Sequence, residues 1–151
     1  MNYALKGITF KEMSVTTNPA FRPQPGQKTE FKQEIRVEKV TKVPNADNIY
    51  VSGIRFEMKS TPEKPTPYNV VVHVGGVFEA VDVNTDQDTQ TLQYATVNVL
   101  LPYMRAAVAN LLASAMLPPV QIPLLPVTRL CQQPGEQNPS FKVKFDESLL
   151  A

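Results

Sequence analysis

From Thr89 to Thr128 the chain carries a single charged side chain, Arg105. Within that stretch "VLLPYMRAAVANLLASAML" is apolar on nearly every side, and "LPPVQIPLLPV" (Leu117 to Val127) follows with four prolines and no charge. Proline removes backbone donors and fixes φ, so the second run can be neither a helix interior nor a central strand. Yet Val120, Ile122, Leu124, Leu125 and Val127 are residue types that leave water. Either the domain's own core takes them, or another polypeptide does.

The first run is long enough to span a bilayer, but Arg105 and Asn110 fall mid-span, Pro102 interrupts it and no Lys/Arg cluster flanks it. A buried helix is expected, with no membrane insertion. Leu92, Val97, Leu100, Met104, Val108, Leu111 and Ala115 recur at helical spacing. Asp86 or Asp88 is expected to cap the start, and Pro102 to kink the helix or split it in two. Ala106, Ala107, Ala109 and Ala113 leave little polar surface. One four-stranded sheet covers only one side of such a helix, so the other side calls for a second subunit.

Upstream the period is two. Ile8 and Phe10 alternate with one face, Met13 and Val15 with the other, which predicts a bulge near Lys11 or Glu12. Phe31, Ile35 and Val37 oppose Lys32, Glu34, Arg36 and Glu38; Tyr50, Ile54, Phe56 and Met58 oppose Arg55, Glu57 and Lys59. These are half-solvated strands. Tyr68, Val70, Val72, Val74, Gly76 and Phe78 share a face backed by Val71, His73, Gly75, Val77 and Val81, which predicts a central strand covered on both sides. "NPAFRPQPGQ", "PNADN" and "STPEKPTP" are the connections, and an antiparallel meander is expected. The fold class is α+β, with a four-stranded antiparallel sheet and a long helix on one face. Residues 1–130 form the domain; residues 131–151 form a polar tail, or contribute a short edge strand at "SFKVKF".

Chain length suffices for one domain with a real core. A net charge of +1 points to neither nucleic acid nor an anionic membrane surface. The basic residues Lys32, Arg36, Lys39 and Lys42 interleave with Glu30, Glu34 and Glu38, forming a solvated strand face. Cys131 is the one cysteine and fits a reducing cytoplasm, where the protein is expected. The opening "MNYALKGITF" lacks the basic and apolar regions of a secretory signal.

Catalytic chemistry finds little support. His73 is the one histidine, so it has no partner histidine for a metal, and a packed or hydrogen-bonded imidazole is expected. "DVNTDQD" lacks the glycine and terminal glutamate of a calcium loop and reads as a cap or turn. "HVGGVF" is followed by no phosphate-binding lysine, so its glycines mark a bulge or close backbone approach. Arg129 near Cys131 could lower its pKa, but no base accompanies it. No enzyme, metal or cofactor is expected.

Leu101, Pro102, Tyr103 and Arg105, then Pro118, Pro119, Ile122, Pro126 and Val127, follow a recognisable order. They resemble the SecB export-chaperone family, whose signature runs approximately L-F-P-Y-A-R, a helix, then F-P-x-L-x-L-x-P-V. Gly76 and Phe78 are similar to that family's G-x-F strand ending. The resemblance spans most of residues 4 to 127. It implies helices on one face of a four-stranded sheet, dimers assembling into tetramers, and capture of unfolded or extended polypeptide in apolar grooves without nucleotide. Family members are strongly acidic, which serves docking on the basic tail of the SecA motor; this chain is near neutral, so export-motor contact is not carried over. Ala106 stands for an acidic residue, and Val97 and Asn98 for a cysteine-proline pair. The candidate polypeptide contacts are Phe10, Phe21, Leu117, Val120, Ile122, Leu124 and Leu125. The alternative is a SecB-like homo-oligomer dedicated to one protein partner, such as a toxin-linked chaperone, or of purely structural role.

Overall fold

A computed structural model describes residues 1–23, 25–26, 29–122, 126–131 and 140–145. The alternating segments become β1 (Asn2–Thr17), β2 (Thr29–Lys42), β3 (Ile49–Met58) and β4 (Tyr68–Val81). They are followed by the long helix α1 (Asp86–Ser114), a single turn α2 (Val127–Leu130) and β5 (Ser140–Phe145). Every pairing is antiparallel, in the order β1-β4-β3-β2-β5. The chain is therefore α+β, with the four long strands carrying α1 on one face.

The expected meander is corrected by that order. β2, β3 and β4 follow one another as hairpins, but β1 lies beyond β4, a Greek-key arrangement read backwards. Alternation tells which face a residue takes and nothing about which strand lies beside it. Residues 18–28 need cross only about 14 Å of sheet. Asn18 anchors the crossing at the β3–β4 turn, its amide nitrogen donating to the Thr66 carbonyl at 3.0 Å and its backbone N–H to the Pro67 carbonyl at 2.7 Å.

β1 stays in step with β4 through two register shifts, between Leu5 and Gly7 and between Phe10 and Glu12. The second is the predicted bulge. Its extra residue returns Met13 and Val15, opposite Val72 and Val70, to the face that Phe10 shares with Val74. β2 shifts between Glu38 and Thr41, which turns Val40 inward and Lys39 out. Gln93 of α1 repairs that gap: its Oε1 accepts from the Val40 N–H at 2.5 Å and its Nε2 donates to the Glu38 carbonyl at 3.1 Å.

α1 runs as one helix through Pro102, so of the two expectations, a kink or a split in two, the split does not occur. Pro102 and Asn98, the residue whose carbonyl it would have bonded, are both exposed, so the orphaned oxygen is on the solvent side of the helix. The N-cap is Thr85 and not an aspartate: its hydroxyl accepts from the Asp88 N–H at 3.1 Å. Asp88 completes a capping box by accepting from the backbone N–H groups of Asn84 and Thr85, and those bonds hold its carboxyl below its ordinary pKa. Leu92, Val97, Leu100, Met104, Val108 and Leu112 bury one face of α1 on the sheet. Exposed Asn98, Pro102, Ala106, Ala109 and Ala113 make up the other.

β4 is covered by α1 on one side only, which corrects the two-sided reading. On its outer side Val71 and Gly75 are buried and Val77 is exposed; Lys11 spreads over Gly75, while the Glu38 carboxylate spreads over Gly53 of β3 and bonds His73 Nε2. Elsewhere on this face Arg55 pairs with Glu12 and Glu57, Glu34 with Lys32 and Arg36, and Glu79 with Lys6. Such exposed pairs stabilise little, but they leave the face close to neutral.

Gly76 faces α1, and a Cβ there would come within 2.7 Å of the Phe78 ring and 3.0 Å of Leu100 Cδ2. The helix sits as close to the sheet as it does because position 76 has no side chain. Gly76→Ala is expected to lower unfolding free energy by about 1–3 kcal/mol in urea denaturation. Gly7→Ala, where the added methyl meets nothing within 4 Å, should change it by only a few tenths. Equal effects would disprove the close-approach role.

Candidate polypeptide-binding surface

α1 ends in a complete Schellman motif. The Met116 N–H reaches the Ala113 carbonyl at 3.1 Å and the Leu117 N–H reaches the Leu112 carbonyl at 2.9 Å. The left-handed residue is Met116, at φ +59°, where glycine is usual. Its side chain is 93% exposed, so no packing offsets the strained backbone. A flexible thioether thus stands at the head of the proline tract.

The tract then runs across the Tyr68 end of the sheet, held by its carbonyl oxygens. The Tyr68 hydroxyl of β4 donates to the Pro118 carbonyl at 3.4 Å, a long bond. Gln33 Nε2 of β2 donates to the Gln121 carbonyl at 3.1 Å, and Arg105 Nη1 of α1 to the Ile122 carbonyl at 2.7 Å. Burial pushes the Tyr68 phenol up to about 12, so it keeps its proton. Three elements therefore fix the path of residues 118–122. Arg105, the sole charge of the apolar stretch, makes the shortest bond.

The side chains divide. Leu117, Val120 and Ile122 are half-buried against the main core, so core and surface each take part of them. Leu124 and Leu125 lie outside the described residues. Phe10 packs half-buried on the same core, but opposite Val74 on β1, about 20 Å of strand from the Tyr68 end. Phe21 is half-buried in the β1–β2 connection and does not join that cluster. The structure places Leu117, Val120 and Ile122 along the tract at the Tyr68 end of the sheet, Phe10 on β1 away from that end, and Phe21 apart from both. Leu5, Ile8 and Val15 continue the half-covered row on β1, and Met13 within it is 43% exposed.

The motif residues have separate tasks. Gly76 and Phe78 set the height of α1, Arg105 holds the tract, and Pro118 and Pro119 extend it without donors that would need partners. Pro102 is exposed, and Tyr103 is 45% exposed beside it. Gln33 and Tyr68 were not among the sequence candidates. Gln33 occupies an inward position of β2 between Phe31 and Ile35, and a polar residue in an apolar register was the signal available.

Burial pushes the Cys131 thiol up to about 11, so the nearby Arg129, which could have lowered it, does not activate it. Among the described residues, no group of three or more His, Cys, Asp or Glu side chains is placed to hold a metal ion.

Met116→Gly is expected to raise unfolding free energy by about 0.5–1 kcal/mol, since glycine takes the left-handed conformation without penalty. Chemical denaturation reads this directly. A variant less stable than the natural chain would mean that Met116 packs against another molecule.

Residues 2–138 match the family model of the preprotein translocase subunit SecB. An uncharacterized protein of Methanocaldococcus jannaschii is 27% identical over 123 residues, covering 81% of this chain and 74% of its own. Among solved structures, the chain is similar to the Mycobacterium tuberculosis SecB-like chaperone in complex with a ChAD peptide from the HigA1 antitoxin. The TM-score is 0.59 at 17% identity, over 82% of this chain and 90% of the other. The family model covers nearly the whole chain, including the strands, α1 and the arginine-held proline tract: this protein belongs to the SecB family.

Proposed function

We propose that this chain is a nucleotide-independent, homo-oligomeric chaperone of the cytoplasm that holds an extended segment of one dedicated protein partner. Its family gives it a general polypeptide-binding role and no catalytic chemistry of its own. The observation that carries the reading is the pinned tract: a backbone fixed by Arg105, Gln33 and Tyr68 presents the half-buried Leu117, Val120 and Ile122 at the Tyr68 end of the sheet. Such a ledge is pre-organised, so a bound segment pays only its own ordering entropy. Apolar contact at roughly 25 cal/mol per Å² supplies affinity.

Two features favour a dedicated partner over a broad range of export clients. The outer sheet face pairs its acids with cations and offers no acidic field to a basic docking tail. The structurally similar mycobacterial chaperone was solved with a peptide from one antitoxin. The open face of α1, small and apolar at Ala106, Ala109 and Ala113, suits a second copy of the chain, which would cover it and leave the tract at the rim.

Affinity isolation from the source cells is expected to recover one stoichiometric partner, and the double variant Val120→Ser/Ile122→Ser to lose it while keeping its oligomeric mass by light scattering. Aggregation assays with several unrelated unfolded proteins should show little suppression at equal subunit ratios. Broad suppression by the natural chain, abolished in the double variant, would establish the general holding role instead. Retention of the partner by the double variant would remove the tract from the account.

A further inference from the structure

Gln33 is fully buried, and its Nε2 is spent on the Gln121 carbonyl, yet its Oε1 has no hydrogen-bond partner among the described residues. A buried orphan acceptor is uncommon, because it gives up water and gains nothing in return. Its position narrows what could satisfy it. Gln33 lies on the stretch of β2, Thr29 to Glu34, along which β5 pairs as the outermost strand.

The register shows why β5 does not satisfy it. Gln33 lies opposite Phe141, and phenylalanine carries no donor. The next pair places Lys142 opposite Lys32, and like charges at facing positions disfavour pairing. The chain's own strand therefore supplies backbone pairing at this edge with the wrong residue at two consecutive positions.

We infer that the Thr29–Glu34 edge of β2 is an exchangeable strand-acceptor. β5 occupies it in cis, and an extended polypeptide carrying a hydroxyl or amide side chain opposite Gln33 and a carboxylate opposite Lys32 displaces β5. Main-chain bonds of the added strand replace those of β5, the donor closes the Gln33 Oε1, and the carboxylate meets the Lys32 ammonium. The inference rests on the polypeptide-binding reading above and gives that partner a local sequence pattern. The Gln33 amide links the two regions, since its other end holds the proline tract at Gln121.

The test uses the full chain and two fluorescein-labelled peptides. One has the sequence of residues 138–147; the other carries Phe141→Thr and Lys142→Glu within it. Anisotropy titration should show the second binding at least about tenfold tighter, of which about fivefold, the share of one hydrogen bond, is lost in Gln33→Leu. Val143→Pro in the full chain, which puts a residue disfavoured within strands into β5, should tighten binding of both peptides. Amide exchange of the natural chain saturated with the second peptide should show β5 losing protection while β2 keeps it, a readout that needs no variant to fold. Equal affinity of the two peptides, or β5 amides still protected at saturation, would overturn the inference. If the chain nevertheless retains its cellular partner, strand exchange alone falls; if it holds no polypeptide in any assay, the proposed function falls with it.

Discussion

A donor-poor segment laid against a protein surface still carries carbonyl oxygens, and each must find a partner or remain in water. In residues 117–122 that requirement is met from outside the tract. Arg105 supplies the decisive donor: a hydrogen bond from a charged group contributes about 1.5–3 kcal/mol, and this one is 2.7 Å long. It reaches Ile122 only because α1 lies low on the sheet. That height depends in turn on position 76 being glycine, with the Phe78 ring and Leu100 filling the space a side chain would need. The three SecB-like signatures, dispersed in the sequence, are consecutive parts of one mechanical chain. The strand lets the helix down, the helix brings the arginine, and the arginine fixes the tract.

Much of this was legible in residue order. Inward rows on β2, β3 and β4 appeared as alternation, though Gln33, Val40, Ser52 and Ala80, buried on the same face, were not named among them. The Phe10–Glu12 bulge was visible because Met13 and Val15 break phase with Ile8 and Phe10. Strand neighbours were not legible: alternation specifies faces, so the position of β1 beside β4 appeared only in the register. The cap was missed by one residue, because Thr85 and the two aspartates offer similar side-chain oxygens and only geometry separates the N-cap from the third helical position. Pro102 looked like a helix breaker, but its cost falls where Asn98 faces water. For the site, apolarity alone marked Leu117, Val120 and Ile122. It marked Phe21 equally well and could not show that Phe21 stands apart.

The outer face sets this chain apart from what the family resemblance implies. A strongly acidic SecB-type surface attracts basic segments over many ångströms, whereas here Glu12, Glu34, Glu38, Glu57 and Glu79 each have a cation within 4.0 Å. Pairing at such distances cancels the far field, and salt screens the remainder within about 10 Å. Selectivity then has to come from contact. Half-buried side chains on a fixed backbone, and a sheet edge with its own sequence preferences, are means of contact selection.

The measurement closest to the central claim is methyl NMR of the natural chain and of Arg105→Ala, recorded before and after addition of the recovered partner segment. The account predicts that the Val120 and Ile122 methyl signals shift on binding in the natural chain. In Arg105→Ala the same signals should broaden in the free state and the affinity should fall, with core signals such as Ile54 and Val74 unchanged. Binding that leaves Val120 and Ile122 undisturbed, or that is as tight without Arg105 as with it, would contradict the account.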